Sequence, residues 1–204
     1  MGWFDWLRAQ PTNIEYLPEA IWLNDSAKYA GIVAAVGSAC HTARPPSALV
    51  LIAHFSQTLL PLRQLAGEHA AGFPIEARLA TELTKRDFTI AFGAGQRPIE
   101  VIVAERHPHE REDAVIDAAF RRSPREFRVT HHHSFDDAIF QHGGWADRAR
   151  GTMEMLGLNE NEPIYSNMVM RKVRRVQRQI ARQAVGSIPA ASGGEWMRLN
   201  LPPT

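Results

Sequence analysis

Glu105, Arg106, His107, His109 and Glu110 crowd five ionisable side chains into six consecutive positions. Imidazoles beside carboxylates and a guanidinium are the groups from which acid–base pairs are built. The run follows the apolar strand Ile99-Glu-Val-Ile-Val103, and parallel sheets place their ligand crevices off the carboxyl ends of strands. It is therefore a candidate crevice. The competing reading is a solvated helix start in which Glu110 complements the positive end of the dipole. Further on, His131-His132-His133 ends another strand, with His131 and His133 on one face. Joined by His107 or His109 they would offer a divalent metal three imidazoles, with Asp136 and Asp137 fixing the tautomers. Glu105 or Glu110 would then serve as general base in a metal-assisted hydrolase. No H-x-x-x-H or H-E-x-x-H spacing accompanies them, so no metal or other cofactor is expected.

Gly93-Ala94-Gly95 follows the strand Phe88-Thr-Ile-Ala-Phe92, as phosphate-binding glycines do, but Pro98 opens a strand where a helix N-terminus is needed. Ser56 lacks the G-x-S-x-G elbow of a nucleophile, and its expected work is to cap a helix. The most polarised stretch is the helix expected from Pro163 to Ala184. Val169, Val173, Val176 and Ile180 form one apolar face, while Arg171, Lys172, Arg174, Arg175, Arg178 and Arg182 supply six cations without an acidic residue. Such a helix packs by its stripe and presents its charge, either to solvent or to an acidic partner.

These residues need a frame. Ile21-Trp22-Leu23 reads as a short strand, Asn24 or Asp25 caps a helix ending at Gly37, and Ala48–Ala53 is a strand covered on both faces. The expected order continues with a helix from Ser56, the two strands just named, a helix Glu110–Arg121, a strand Phe127–His131 and helices from Ser134 onward. Trp196, Met197, Leu199 and Leu201 read as a last extended segment that docks back. Strand and helix alternating in this way specify an α/β fold of three layers around a mainly parallel sheet.

The chain has 204 residues, 45% hydrophobic and 22% charged, with 23 Lys and Arg against 22 Asp and Glu. That composition supports a real core and excludes disorder. A net charge of +1 gives no global field for nucleic acid. The single cysteine, Cys40, excludes an intramolecular disulfide framework and fits a cytoplasmic location. No apolar run has the length of a membrane span. The aromatic start, Trp3-Phe4-Asp5-Trp6-Leu7, lacks the features of a signal peptide and is expected to dock, either on the chain's own core or on a partner surface.

Several stretches in order resemble the second nucleotide-binding domain and scaffold-helix start of the SecA preprotein translocase ATPase. Phe88-Thr-Ile-Ala with Gly93-Ala94-Gly95-Gln96-Arg97 is similar to V-T-I-A-T-N-M-A-G-R-G-T-D, and Ile102-Val103-Ala104-Glu105-Arg106-His107 to V-I-G-T-E-R-H. Ser134-Phe135-Asp136-Asp137 resembles S-L-E-D-D. Leu156-Gly157-Leu158-Asn159-Glu160-Asn161-Glu162-Pro163-Ile164, with Met168-Val169 and Val176-Gln177-Arg178, resembles the opening of the scaffold helix. Ala48–Ala53 falls at P-V-L-V-G-T. The resemblance implies a single RecA-like domain over 21–133, with a docking segment 1–20, a helical extension 134–186 and a tail 187–204. The family's phosphate loop, Gly-x-x-x-x-Gly-Lys-Thr, is absent from the chain. Its Q-x-x-G-R-x-G-R-Q-G motif survives only as Arg121 and Arg125 without glycines. ATPase activity is therefore not expected; a protein-binding or adaptor role linked to secretion is, with the six cations as the attachment surface. The hydrolase built on the His/Glu crevice is the alternative.

Overall fold

Ala48–Ala53 is the organising strand, because all six residues are fully buried. A computed structural model describes residues 13–84, 97–155, 157 and 159–203. Along them run β1 (Ile14–Tyr16), β2 (Ala20–Trp22), α1 (Asp25–His41), β3 (Ala48–Ala53), α2 (Ser56–His69), β4 (Ile75–Leu79), a 3-10 turn (Ala80–Thr84) and β5 (Ile99–Val103). Then come α3 (Glu110–Arg121), β6 (Phe127–Ser134), α4 (Ala138–Gln141), α5 (Ala146–Met155), α6 (Asn167–Gln183) and α7 (Gly193–Asn200). The expected strand Phe88–Phe92, the loop Gly93-Ala94-Gly95 and the aromatic start at Trp3, Phe4 and Trp6 lie outside the described residues.

The sheet order is β1-β6-β5-β3-β4, with β2 also on β6, and these strand pairings are all parallel. Alternation along β3 divides the core. Leu49 and Leu51 join Ile32 and Val36 of α1 and Leu59, Leu62 and Leu65 of α2 on one face. Val50 and Ile52 join Val101 and Val103 of β5 and Ile116 and Phe120 of α3 on the other. This is the three-layer α/β arrangement of a RecA-like domain. A third cluster sits beyond the carboxyl ends of the strands, where the valine stripe of α6, Phe135, Phe140 and Trp196 pack with Ile21, Leu23 and Phe55. The helical extension thus shares its core with β2 and the β3–α2 turn.

Several local expectations are corrected. Residues 14–16, inside the expected docking segment 1–20, form strand β1, held by its pairing to Phe127–Val129. Strand β4 is a further addition: Glu76 and Arg78 interrupt a continuous apolar run there, and at the end of the described sheet they pair with each other. Helix α1 passes through Gly37 to His41, because nothing there demands a turn. Ser56 is the first residue of α2 and caps nothing: Phe55 is the N-cap, without a side-chain bond. The segment around Trp196 docks as expected, but as helix α7, whose N-cap Ser192 accepts from the Glu195 N–H at 3.2 Å. Elsewhere the capping chemistry is ordinary, with Asn24 accepting from the Ala27 N–H at 2.8 Å.

Two glycines inside α1 separate packing from propensity. A methyl group at Gly31 would overlap the indole of Trp22, which is buried and bonded to His132, whereas one at Gly37 would meet nothing within 4 Å. Gly31→Ala should destabilise by about 1–3 kcal/mol through overpacking. Gly37→Ala should instead stabilise by about 0.4–1 kcal/mol. Denaturant melts of the two variants check the opposite signs.

Candidate functional site

Strand β5 delivers Glu105, Arg106 and His107 beyond its carboxyl end, and the three side chains part company there. Glu105 reaches the β3–α2 turn. Its Oε1 accepts the backbone N–H groups of His54 and Phe55, both at 3.1 Å, and its Oε2 accepts the Thr58 hydroxyl at 2.8 Å. Burial pushes its carboxyl up to about 7, and the nearby Asp137 charge adds to the rise. In front of it opens a cleft of about 610 Å³, walled by Asp25, Lys28, Asp136 and Asp137. Lys28 is buried and pairs with Asp25 at 2.9 Å and Asp137 at 2.5 Å. Burial disfavours its charge, but the Asp137 and Asp25 carboxylates reverse that and hold the ammonium protonated.

Arg106 is clamped between two carboxylates. It donates to Asp113 at 2.8 Å and, from Nε and Nη2, to Glu19 at 3.2 and 2.9 Å. Glu19 also meets His133 Nε2 at 2.8 Å and accepts from Arg174 of α6 at 3.0 Å. Asp113 further accepts from the His107 backbone N–H at 2.8 Å and Gln177 Nε2 at 2.5 Å. His54 Nε2 lies 3.0 Å from Asp113, an ion-pair distance without hydrogen-bond alignment. Burial alone would raise both carboxyls. For Asp113, Arg106 then His54 reverse this, and for Glu19, His133 then Arg106; both end well below the usual carboxylate range.

The histidines serve packing. The His107 ring stacks on Phe55 and meets Trp196 edge-on at 4.9 Å, and burial drives its pKa down to about 3. His131 is buried between Tyr16 and His133, and burial with Arg106 nearby holds it neutral. His132 faces the other way, accepting from the Trp22 indole at 3.3 Å, with its pKa lowered to about 4 by burial. His109 caps α3 by accepting the Arg111 N–H. It shares a polar groove with Glu110, Arg178 and Arg182, so the expected crevice divides between this groove and the cleft that Glu105 and Arg106 line. Among the described residues no three His, Cys, Asp or Glu side chains gather to hold a metal. The metal-hydrolase alternative loses its geometry: His131 and His133 are committed to Tyr16 and Glu19, away from His109.

On α6, Val169, Val173, Val176 and Ile180 are buried as the spacing requires, and all six cations are exposed. Arg174 departs from the expectation of a face free of acids, because its partner Glu19 comes from a different element. Arg125 sits at the amino end of the strands, donating to Ser47 at 2.6 Å and the Arg97 carbonyl at 3.1 Å, at the opposite end of the sheet from the cleft. Sequence reasoning gave no site role to Glu19, Lys28 or Asp113, and took Gln177 only as part of the resemblance at Val176-Gln177-Arg178. Lone polar residues carry no periodic signal, and their meaning arises where four elements converge.

No family model matches the chain. It is similar to the protein translocase subunit SecA of Nitratidesulfovibrio vulgaris strain Miyazaki F, 26% identical over 183 residues, which is 80% of this chain and 22% of that protein. It matches the SecA subunit of Desulfotalea psychrophila at 24% over 191 residues, 84% of this chain and 22% of the relative. The SecA of N. vulgaris strain DP4 is 29% identical over 105 residues, half of this chain and 12% of the relative. The chain thus spans about a fifth of the length of the first of these relatives.

The buried titratable groups fix a pH response. Histidines held neutral in the fold take up protons on unfolding, so His107, His131 and His132 make the protein lose stability as pH falls below about 6.5. Glu105 acts oppositely. Its raised carboxyl gains a proton in the folded state between pH about 7 and about 4.5, which favours the fold as pH falls through that window. Three histidines outweigh one carboxyl, so stability should drop from pH 7 to pH 5. Glu105→Gln should make the drop steeper, as read from denaturant melts at the two pH values. An unchanged or shallower drop would remove Glu105 from this account.

Proposed function

We propose that the chain is a cytoplasmic, non-catalytic protein-binding module related to the preprotein translocase motor, which attaches through the outer face of α6 to an acidic surface on a secretion component. The observation that carries this reading is the division of labour on α6. Its inner face is fixed by the valine stripe and by Gln177, which bonds both Asp113 and the His107 carbonyl. Its outer face exposes Arg171, Lys172, Arg174, Arg175, Arg178 and Arg182, of which Arg174 alone forms a described ion pair. A merely solvated helix gains about 0.2–0.5 kcal/mol from each i,i+4 pair of opposite charges, and this helix forgoes them. An acidic partner would supply the missing counter-charges. The curated relatives are translocase subunits, which gives the partner its expected class.

The cleft supports the non-catalytic half of the proposal. The backbone donors at the β3–α2 turn are already taken by Glu105, and Asp25, Asp136 and Asp137 repel a polyphosphate. No described helix is long and apolar enough to cross a membrane.

Two measurements test the reading. Calorimetry with Mg-ATP should show neither binding nor turnover, and micromolar affinity would overturn the loss of nucleotide function. Reversing Arg175, Arg178 and Arg182 to Glu, while sparing Arg174 for its bond to Glu19, should leave the melting midpoint within a few degrees. The same variant should lose the partner that the unmodified protein captures from lysate, and wild-type capture should weaken as salt rises. Persistence of the captured partner with the triple variant would exclude the basic face as the attachment site.

A further inference from the structure

A groove of about 510 Å³ opens on the face of the sheet that α1 only partly covers. Its floor is Ile102 of β5 with Thr130 and His132 of β6. Ile102 and Thr130 are paired in register, and His132, two residues on, faces the same side. Gly31 and Ala35 of α1 form one wall and Pro18 the other. At one end the Trp22 indole and the His132 ring lie nearly parallel, with ring centroids 6.0 Å apart. At the other, Arg128 is shared between Glu15 at 3.3 Å and Glu100 at 3.2 Å. A largely apolar concavity of this size with a few polar groups is the form that small-molecule sites take.

His132 holds an unused donor here. Its Nδ1 accepts the Trp22 indole N–H at 3.3 Å, and burial keeps the imidazole neutral, so the ring proton sits on Nε2. The residue is only 5% exposed and borders the groove, and among the described residues nothing accepts the Nε2 hydrogen. A nearly buried donor without an acceptor is costly, and a ligand that supplies one recovers that cost. The Thr130 hydroxyl, about 7 Å away along the same strand face, is likewise without a hydrogen bond among the described residues. Charge narrows the ligand further. Glu15 and Glu100 already occupy Arg128 and would repel an anion at that end, while the Nε2–H disfavours a cation at the other. The floor from Arg128 to His132 runs roughly 13 Å at strand spacing, room for two fused rings lying flat.

We propose that this groove is a binding site for a small, uncharged, planar ring compound that accepts a hydrogen bond from His132 Nε2. The rings rest on Ile102 and Thr130 beside Gly31 and Ala35, and the acceptor atom sets their direction along the groove. The site is independent of the basic face of α6, so either assignment can fail without the other.

Titration of the full-length chain with quinoline, followed by proton–nitrogen correlation spectra at neutral pH, tests this. Quinoline is flat and uncharged, and its ring nitrogen accepts a hydrogen bond. It should shift the Trp22 indole N–H and the backbone amides of Gly31, Ala35 and Thr130 along one saturable curve. N-methylquinolinium has the same two rings but carries a charge and no acceptor, and it should bind at least about tenfold more weakly, the worth of one hydrogen bond. Two variants localise the effect. Ala35→Phe fills the groove and should abolish the quinoline response. His132→Phe keeps a ring but removes the donor, and should weaken quinoline to the level of N-methylquinolinium while leaving the latter unchanged. Shifts that fail to saturate or scatter over the surface would overturn the proposal, as would equal affinity for the two probes or full quinoline binding by Ala35→Phe. The comparison of probes on the unmodified protein decides the matter even where a variant fails to fold.

Discussion

The Arg106 guanidinium, held between Glu19 and Asp113, is the interaction on which the arrangement of the carboxyl end depends. Glu19 comes from the break between β1 and β2, Arg106 from the end of β5, Asp113 from α3, and Gln177 and Arg174 from α6, so four separate stretches of chain meet at one buried charge. A buried ion pair seldom adds much net stability over a well-packed apolar core, but breaking one is expensive, because the remaining charge is stranded. The network therefore specifies one docking of α6 and penalises the alternatives. Apolar contacts alone, through a valine stripe that a helix can slide along, would not discriminate so sharply.

The same network shows how ionisable residues can crowd the end of a parallel sheet and be spent on one another. Chemistry requires a group whose proton or lone pair is available to a substrate. Here Asp113 accepts from three donors, Glu19 is surrounded by Arg106, His133 and Arg174, and the His107 ring is wedged between Phe55 and Trp196. Lys28 neutralises two aspartates on the cleft wall while Glu105 occupies the turn. The polar groups at this end of the sheet are turned inward upon one another.

The sequence was most legible where burial is periodic. The apolar run Ala48–Ala53, the helix Glu110–Arg121 and the spacing of Val169, Val173, Val176 and Ile180 each report a surface that must leave water, and the structure buries them. Legibility failed at edges and at isolated polar positions. Strand β1 has three residues and β4 is half-buried with two charges, so neither satisfies an apolar template. The crevice expected around Glu105, Arg106, His107, His109 and Glu110 gathers residues whose side chains turn apart in the structure, because proximity along the chain does not say which way successive side chains turn. Glu19 lies 87 positions from Arg106, and only the pairing of β1 and β2 with β6 brings them together.

The broken edge made by β1 and β2 bears on how molecules of this protein meet at high concentration. A free sheet edge is a template on which a neighbouring molecule can add a strand, the first step toward fibres. Here Pro18 offers no amide hydrogen, Glu19 turns a carboxylate inward where a continuous strand would carry on, and the backbone of Ile21 is already engaged on its outer side by Ile164 at 3.0 and 2.8 Å. Among the described residues, an incoming strand would find three residues of ladder, then an interruption, then an occupied partner. The kink that delivers a counter-ion to Arg106 is thus also a guard against polymerisation along this margin of the sheet.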